Sequence, residues 1–129
     1  MKWQNRFATG IKKVDDEHKI LIDMIDRLEK AIMNGNDCEA ARKVLYGLVD
    51  YVKIHFKDEE EVMKKIGFPD LKRHKVLHKN LVNEVASILK DLKCGKTWTV
   101  QELIGFLQHW LADHILEEDI KIGVYLGVI

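Results

Sequence analysis

Apolar residues recur every three or four positions along most of the chain, the spacing that places them on one face of an α-helix. Four such segments are predicted, at about residues 16–33, 37–66, 70–93 and 99–120. No comparable stretch shows the apolar–polar alternation that is typical of a half-buried β-strand. Because long amphipathic segments joined by short loops favour antiparallel neighbours, the pattern predicts an all-α, up-down-up-down antiparallel four-helix bundle.

Helix-breaking and helix-capping residues separate the four segments. Gly35 lies where the first helix should end, and Asp37 is the expected N-cap of the second. The third helix should begin close to Pro69, and Thr97 or Thr99 should cap the fourth. These residues therefore support the helix boundaries that the apolar pattern indicates.

The two ends of the chain do not follow the helical pattern. We expect an ordered N-terminal arm over about residues 3–13, and a short, looser C-terminal tail that contains Gly123 and Gly127. No linker, repeat or low-complexity stretch divides the sequence, so residues 1–129 are expected to form a single domain.

Composition and charge exclude several classes of function. The chain has 129 residues, 47% of them hydrophobic, which suits one domain with a real core. Its 21 basic and 21 acidic residues balance, so nothing attracts nucleic acid or an anionic membrane. No apolar run approaches the length of a membrane span, and two widely separated cysteines favour a reducing compartment. We expect a cytoplasmic monomer that does not insert into membranes.

Histidines occupy positions where apolar core residues are expected. His55 and Glu59 lie one helical turn apart, as do His74 and His78, so each pair shares one helix face. The inward positions of the third segment follow steps of three and four residues: Leu71, His74, His78, Leu81, Val85, Ile88 and Leu92. His18 and His114 continue the apolar stripes of the first and fourth segments.

Hydrogen bonding alone does not explain this set of buried polar residues. A single core histidine is usually satisfied by one hydrogen bond, and for His18 alone that interpretation is favoured. Five histidines and a carboxylate in one small core would need many dedicated partners, and an uncompensated buried carboxylate costs several kcal/mol or more. Metal cations would offset that cost. His109 is off the inward stripe and is expected at the surface.

The number and type of the candidate ligands indicate a dinuclear site. Zinc prefers four ligands, so six candidates are too many for one zinc ion. There is no CxxCH motif for haem attachment, and no Glu-x-x-His motif of the ferritin-like di-iron bundles. Imidazole suits iron or copper and carboxylates suit bridges, which leaves a histidine-rich dinuclear site.

Four motifs together resemble the hemerythrin family, and especially the bacterial hemerythrins. They are Gly10-Ile-Lys-Lys-Val-Asp-Asp-Glu-His18, His55-Phe-Lys-Asp-Glu59-Glu60, Gly67-Phe-Pro69 with His74-x-x-x-His78, and Trp110-Leu-Ala-Asp-His114-Ile-Leu-Glu-Glu-Asp119. The resemblance runs from Trp3 to Asp119. It implies a non-haem di-iron site that binds O2 reversibly.

The resemblance also implies a role for each matching residue. One iron would take His74, His78 and His114, and the other His18 and His55. Glu59 and Asp119 would bridge the two irons (Fe2+ or Fe3+), together with an oxo or hydroxo group. This donor set leaves one coordination position open, on the iron held by His18 and His55, for O2. The pocket residues that match the family are bulky and apolar: Leu21, Phe56, Trp110, Leu111 and Ile115.

Helical periodicity and the family resemblance select different residues as the carboxylate ligand that follows His114. Glu118 is four residues after His114 and about 40° away around a regular helix, whereas Asp119 is about 140° away. Only a local widening toward i→i+5 hydrogen bonding would bring Asp119 to the site. The family pattern has Asp at this spacing, and we follow it. The family often has a tyrosine three residues further on, where this chain has Ile122.

The resemblance implies an oxygen carrier, storage or delivery protein rather than an enzyme. An apolar pocket without a spare acid or base disfavours catalysis on bound O2. The alternatives are an O2- or redox-sensing domain of a signalling protein, since similar domains occur fused to signalling proteins, and a protein that handles iron or nitric oxide.

Overall fold

Four long helices form the body of the molecule. A computed structural model describes residues 1–33, 38–91 and 100–129. The helices are α1 (Lys12–Met33), α2 (Cys38–Ile66), α3 (Leu71–Asp91) and α4 (Val100–His114). Helix α1 packs against α2 and α4, and α2 packs against α3. The predicted four-helix bundle is therefore confirmed, and the described residues contain no strand. None of the described helices is sufficiently long and apolar to cross a membrane.

Several boundary predictions lie outside the described residues. They concern the break at Gly35, the caps Asp37, Thr97 and Thr99, and the core position Leu92. The second helix ends at Ile66 and the third begins at Leu71, as the Gly67-Phe68-Pro69 sequence predicts.

The N-terminal prediction was wrong at its boundary, because α1 begins at Lys12, about one turn before the expected start near residue 16. The side chain of Asp15 explains the earlier start. Its carboxylate accepts hydrogen bonds from the Thr9 N–H at 2.8 Å, the Thr9 hydroxyl at 2.7 Å and the Gly10 N–H at 3.2 Å. These bonds tie the preceding arm to the first turn, which allows the helix to begin at Lys12. Within the arm, a short 3-10 turn over Asn5–Phe7 buries Phe7.

The prediction of a loose C-terminal tail was also wrong, because helical structure continues to Leu126. A π-helical turn covers Ile115–Asp119, and helix α5 follows at Ile120–Leu126. Gly123 sits inside α5, where an added Cβ would lie 1.9 Å from the carbonyl oxygen of Thr9. This glycine therefore permits close packing of α5 against the arm, and Gly127, at a φ of 80°, ends the helix.

Two apolar clusters enclose the polar centre of the bundle. The larger cluster lies between the four helices and includes Phe56, while a smaller one contains Met63, Phe68 and Ile122. The ring of Phe56 stacks on His78, and the ring of Phe68 meets that of His74 edge-on. Apolar side chains therefore shield the histidines from both directions.

Candidate metal centre

All seven ligand residues expected from the sequence are buried together in the bundle. Their exposed fraction is 8% for His114 and no more than 2% for each of the other six. Helix α1 supplies one of them, α2 two, α3 two, α4 one and the π-helical turn one: His18, His55, Glu59, His74, His78, His114 and Asp119.

The π-helical turn decides which C-terminal carboxylate faces the cluster. The Ile120 N–H bonds to the Ile115 carbonyl, which is the i→i+5 bond of a π-turn. Asp119 is thereby fully buried. Glu118 instead accepts two hydrogen bonds from Arg73, at 2.8 and 2.9 Å, near the surface. The local widening expected from the motif is present, and simple helical periodicity would have selected the wrong residue.

Glu59 divides its two carboxylate oxygens between two groups of histidines. Its Oε1 lies 3.0 Å from Nε2 of both His74 and His78. Its Oε2 lies 3.5 Å from Nε2 of His18 and 3.3 Å from Nε2 of His55. One carboxylate therefore serves both sides of the cluster.

Asp119 divides its oxygens in the same way. Oδ1 lies 3.1 Å from Nε2 of both His74 and His114, and Oδ2 lies 3.0 Å from Nε2 of His18. The donor atoms thus form two overlapping groups, each within 4.8 Å, that share both carboxylates. The first contains three histidines (His74, His78 and His114) and the second contains two (His18 and His55).

The unsatisfied atoms of the second group fit a cation. Nε2 of His18 and His55, Oε2 of Glu59 and Oδ2 of Asp119 are buried and have no hydrogen-bond partner among the described residues. Such atoms are costly to bury unpaired, although they face one another at 3.0 to 3.5 Å. A metal ion between them would bond to all four. Imidazole nitrogens with carboxylate oxygens suit iron among the transition metals.

Two further carboxylates hold the outer nitrogens of the histidines, and the sequence analysis missed both. Nδ1 of His55 donates to Oε1 of Glu17 at 2.9 Å, and Nδ1 of His78 donates to Oε2 of Glu60 at 2.7 Å. Because a carboxylate oxygen accepts these bonds, each one places a proton on Nδ1, so Nε2 is the ring nitrogen that would bind a metal. Glu17 precedes a ligand and Glu60 follows one, but only the packing of the helices shows which histidine each contacts.

Electrostatics keep the two shared carboxylates ionised. Burial by itself lowers the pKa of a histidine, but Glu17 and Glu59 outweigh it and raise the pKa of His55 to about 10. Asp119 and Glu59 likewise outweigh burial and raise the pKa of His74 to about 9. Burial disfavours ionised Glu59 and Asp119 too, yet the surrounding histidines hold the pKa of both carboxyl groups well below its usual range. The ionised form is the one that binds cations.

The expected pocket residues are all buried, and all belong to the larger apolar cluster: Leu21, Phe56, Trp110, Leu111 and Ile115. The ring of Phe56 stacks on His78 at 3.8 Å and lies 5.6 Å from that of His114. His109 is exposed, as expected. Ile122, at the position where the family often has tyrosine, is completely buried in the smaller apolar cluster.

Known proteins share both the sequence pattern and the fold. The Hemerythrin HHE cation binding domain family matches residues 9–124. A bacteriohemerythrin of Methylococcus capsulatus is 36% identical over 94% of this chain and 92% of its own length. A myohemerythrin of Theromyzon tessulatum is 33% identical over 93% of this chain and 88% of its own length.

A solved structure of wild-type hemerythrin superposes with a TM-score of 0.88 at 34% identity, covering 98% of both chains. The sequence match and the structural match cover the same four helices and the same buried cluster. The chain therefore belongs to the hemerythrin family.

Proposed function

We propose that the chain binds O2 reversibly at a non-haem di-iron centre, as an oxygen carrier, storage or delivery protein. The observation that carries the proposal is the division of each shared carboxylate between two groups of histidines, since this geometry suits two metal ions held side by side. Histidine-rich ligation and the family of the chain both support iron.

Each of the two donor groups described above would hold one iron ion. His74, His78 and His114 would hold one iron, His18 and His55 would hold the other, and the two carboxylates would bridge them. Because the second iron has one histidine fewer, an incoming ligand would bind on that side. When bound, the two ferrous ions supply the electron density that holds O2. An oxo or hydroxo group completing the bridge belongs to the same proposal.

The surrounding side chains favour release of O2 over its conversion. The pocket residues are apolar, so they exclude water and disfavour separation of charge next to bound O2. Among the described residues, the titratable side chains that form this cluster or are hydrogen-bonded to it are its ligands and the two outer carboxylates, Glu17 and Glu60. Both outer carboxylates are held by histidine Nδ1 atoms, which leaves them poorly placed to transfer protons to a substrate. We therefore propose a binding protein rather than an enzyme. A monomeric state and a cytoplasmic location stay predictions.

Metal analysis and optical spectroscopy test the proposal. We expect about two irons per chain, because the cluster offers two donor groups. Addition of O2 to the reduced protein should produce a visible absorption band that disappears when O2 is removed. A single zinc per chain, or oxidation that O2 removal does not reverse, would contradict the carrier function.

A further inference from the structure

A groove between α2 and α3 reaches one of the proposed iron ligands from the surface. It has a volume of about 340 Å³, and His78 and Phe56 line it. Glu60 also lines the groove and accepts the 2.7 Å hydrogen bond from Nδ1 of His78. Because the Glu60 side chain is 24% exposed, it connects a ligand imidazole directly to solvent.

Four exposed lysines surround this connection. Two come from α2 and two from α3, in each case one helical turn apart: Lys53, Lys57, Lys75 and Lys79. None of the four forms an ion pair with another described residue. Like charges at i, i+4 destabilise a helix by a few tenths of a kcal/mol per pair, so folding does not favour this arrangement. The described part of the fold offers no structural reason for the lysine cluster.

The positive groove has a negative counterpart on the other side of α3. The groove between α3 and α4 is lined by four acidic residues, namely Glu84, Asp113, Glu117 and Glu118. The formal net charge of the chain is zero, so the neutral total conceals a surface with charge separated across one helix. Arg73 forms an ion pair with Glu118 of the negative groove, whereas the four lysines of the positive groove form none with another described residue.

We propose that the groove between α2 and α3 docks an acidic, one-electron carrier protein that keeps the iron centre reduced. This inference rests on the proposed function, because only the ferrous form would bind O2 and an oxidised centre needs an external donor. For each ferric ion returned to the ferrous form, one reduced carrier molecule would be oxidised by one electron. The side chains that the carrier would meet are the lysines, with Glu60 and His78 between them.

The groove suits a protein partner of this kind. Transient redox complexes bury little surface and depend on complementary charge for rapid association. Two apolar side chains follow directly after groove lysines and are more than half exposed: Ile54, at 54%, and Val76, at 59%. Successive residues of a helix are about 100° apart around its axis, so Ile54 and Val76 lie at the outer margins of the groove, next to the lysines that precede them. There they would add apolar contact to the charged rim.

Binding of a probe protein tests the inference directly. We would use an acidic plant-type [2Fe–2S] ferredoxin, and measure its Kd by calorimetry and its rate of reducing the oxidised iron protein by stopped flow. The groove variant is Lys57→Gln with Lys79→Gln. The matched control is Lys43→Gln with Lys90→Gln, which removes the same charge from the same two helices at distances of about 21 and 16 Å along them.

We expect the groove variant to weaken ferredoxin binding and slow reduction by about tenfold or more at low ionic strength, and the control to change both by less than about twofold. Equal losses in both variants, or no binding to the wild type, would overturn the inference. So would lysine-dependent binding to phosphatidylglycerol vesicles without binding to ferredoxin, since that would indicate a membrane surface instead.

Iron content and the O2-dependent absorption band separate this test from that of the proposed function. Wild-type protein that lacks both would refute the di-iron function. A groove variant that keeps both, and also binds ferredoxin as the wild type does, would refute only the docking site.

Discussion

Replacing Asp119 with asparagine should release iron, whereas Glu118→Gln should not. Asp119 is fully buried and brings its two oxygens within 3.1 Å of three histidines: His18, His74 and His114. An asparagine has nearly the same size but no charge, and its amide nitrogen cannot bind a metal as a carboxylate oxygen does. Loss of an outer partner of a ligand typically lowers metal affinity 10- to 100-fold, so loss of a shared ligand should exceed about 100-fold.

Folding stability provides a second measure of the same change. In protein stripped of iron, Asp119→Asn leaves buried histidines without their counter-charge, which should cost about 3 kcal/mol in urea unfolding. Glu118→Gln removes an ion pair with Arg73, whose side chain is 53% exposed, and should cost at most about 1 kcal/mol. Iron per chain would be measured after dialysis against a chelator. The reasoning is refuted if Asp119→Asn keeps both irons, or if Glu118→Gln loses them.

Three further predictions follow from particular contacts. Gly123→Ala should lower the free energy of unfolding by about 3 kcal/mol, because its Cβ would collide with the carbonyl of Thr9. Gly105→Ala, where nothing lies within 4 Å, should instead raise stability by about 0.5–1 kcal/mol, so equal effects in thermal melts would contradict this account. Glu17→Gln should weaken iron binding 10- to 100-fold in chelator competition, since it replaces the charged acceptor of the His55 hydrogen bond with a neutral amide; unchanged affinity would show that the charge is dispensable. The melting temperature of iron-free protein should fall as pH rises from about 6.5 toward 10. Folding raises the pKa of His55 from 6.5 to about 10, so the folded state holds this proton more tightly than the unfolded state. The stability that this proton contributes is complete below pH 6.5 and is lost as the pH rises through about 10. Iron-loaded protein should show a weaker dependence, and identical pH profiles would exclude the histidine cluster as the cause.

Helical periodicity predicted most of the candidate site. His74 and His78 follow the apolar rhythm of α3, and both side chains are buried where that rhythm places them. The same reasoning placed His55 and Glu59 on the inner face of α2. It worked because the face on which a residue lies depends only on its own helix, and the spacing of neighbouring residues encodes it.

The chain ends were predicted less well because their structure depends on contacts that do not follow the helical repeat. The start of α1 depends on bonds between Asp15 and the arm, and α5 depends on a backbone contact between Gly123 and Thr9. In the sequence Gly123 is indistinguishable from a glycine that ends a helix. Its role is visible only when residues more than a hundred positions apart are brought together.

The sequence by itself determined the helical class, the inward face of each helix and the set of residue types that could bind a metal. Those properties are local, since a repeat of about 3.6 residues per turn fixes them. The tertiary structure decided which oxygen of each carboxylate meets which histidine, and which outer carboxylates hold His55 and His78. It also decided that four lysines from two helices surround the groove beside His78. These features arise between helices, where distances of a few ångströms depend on packing that no single segment encodes.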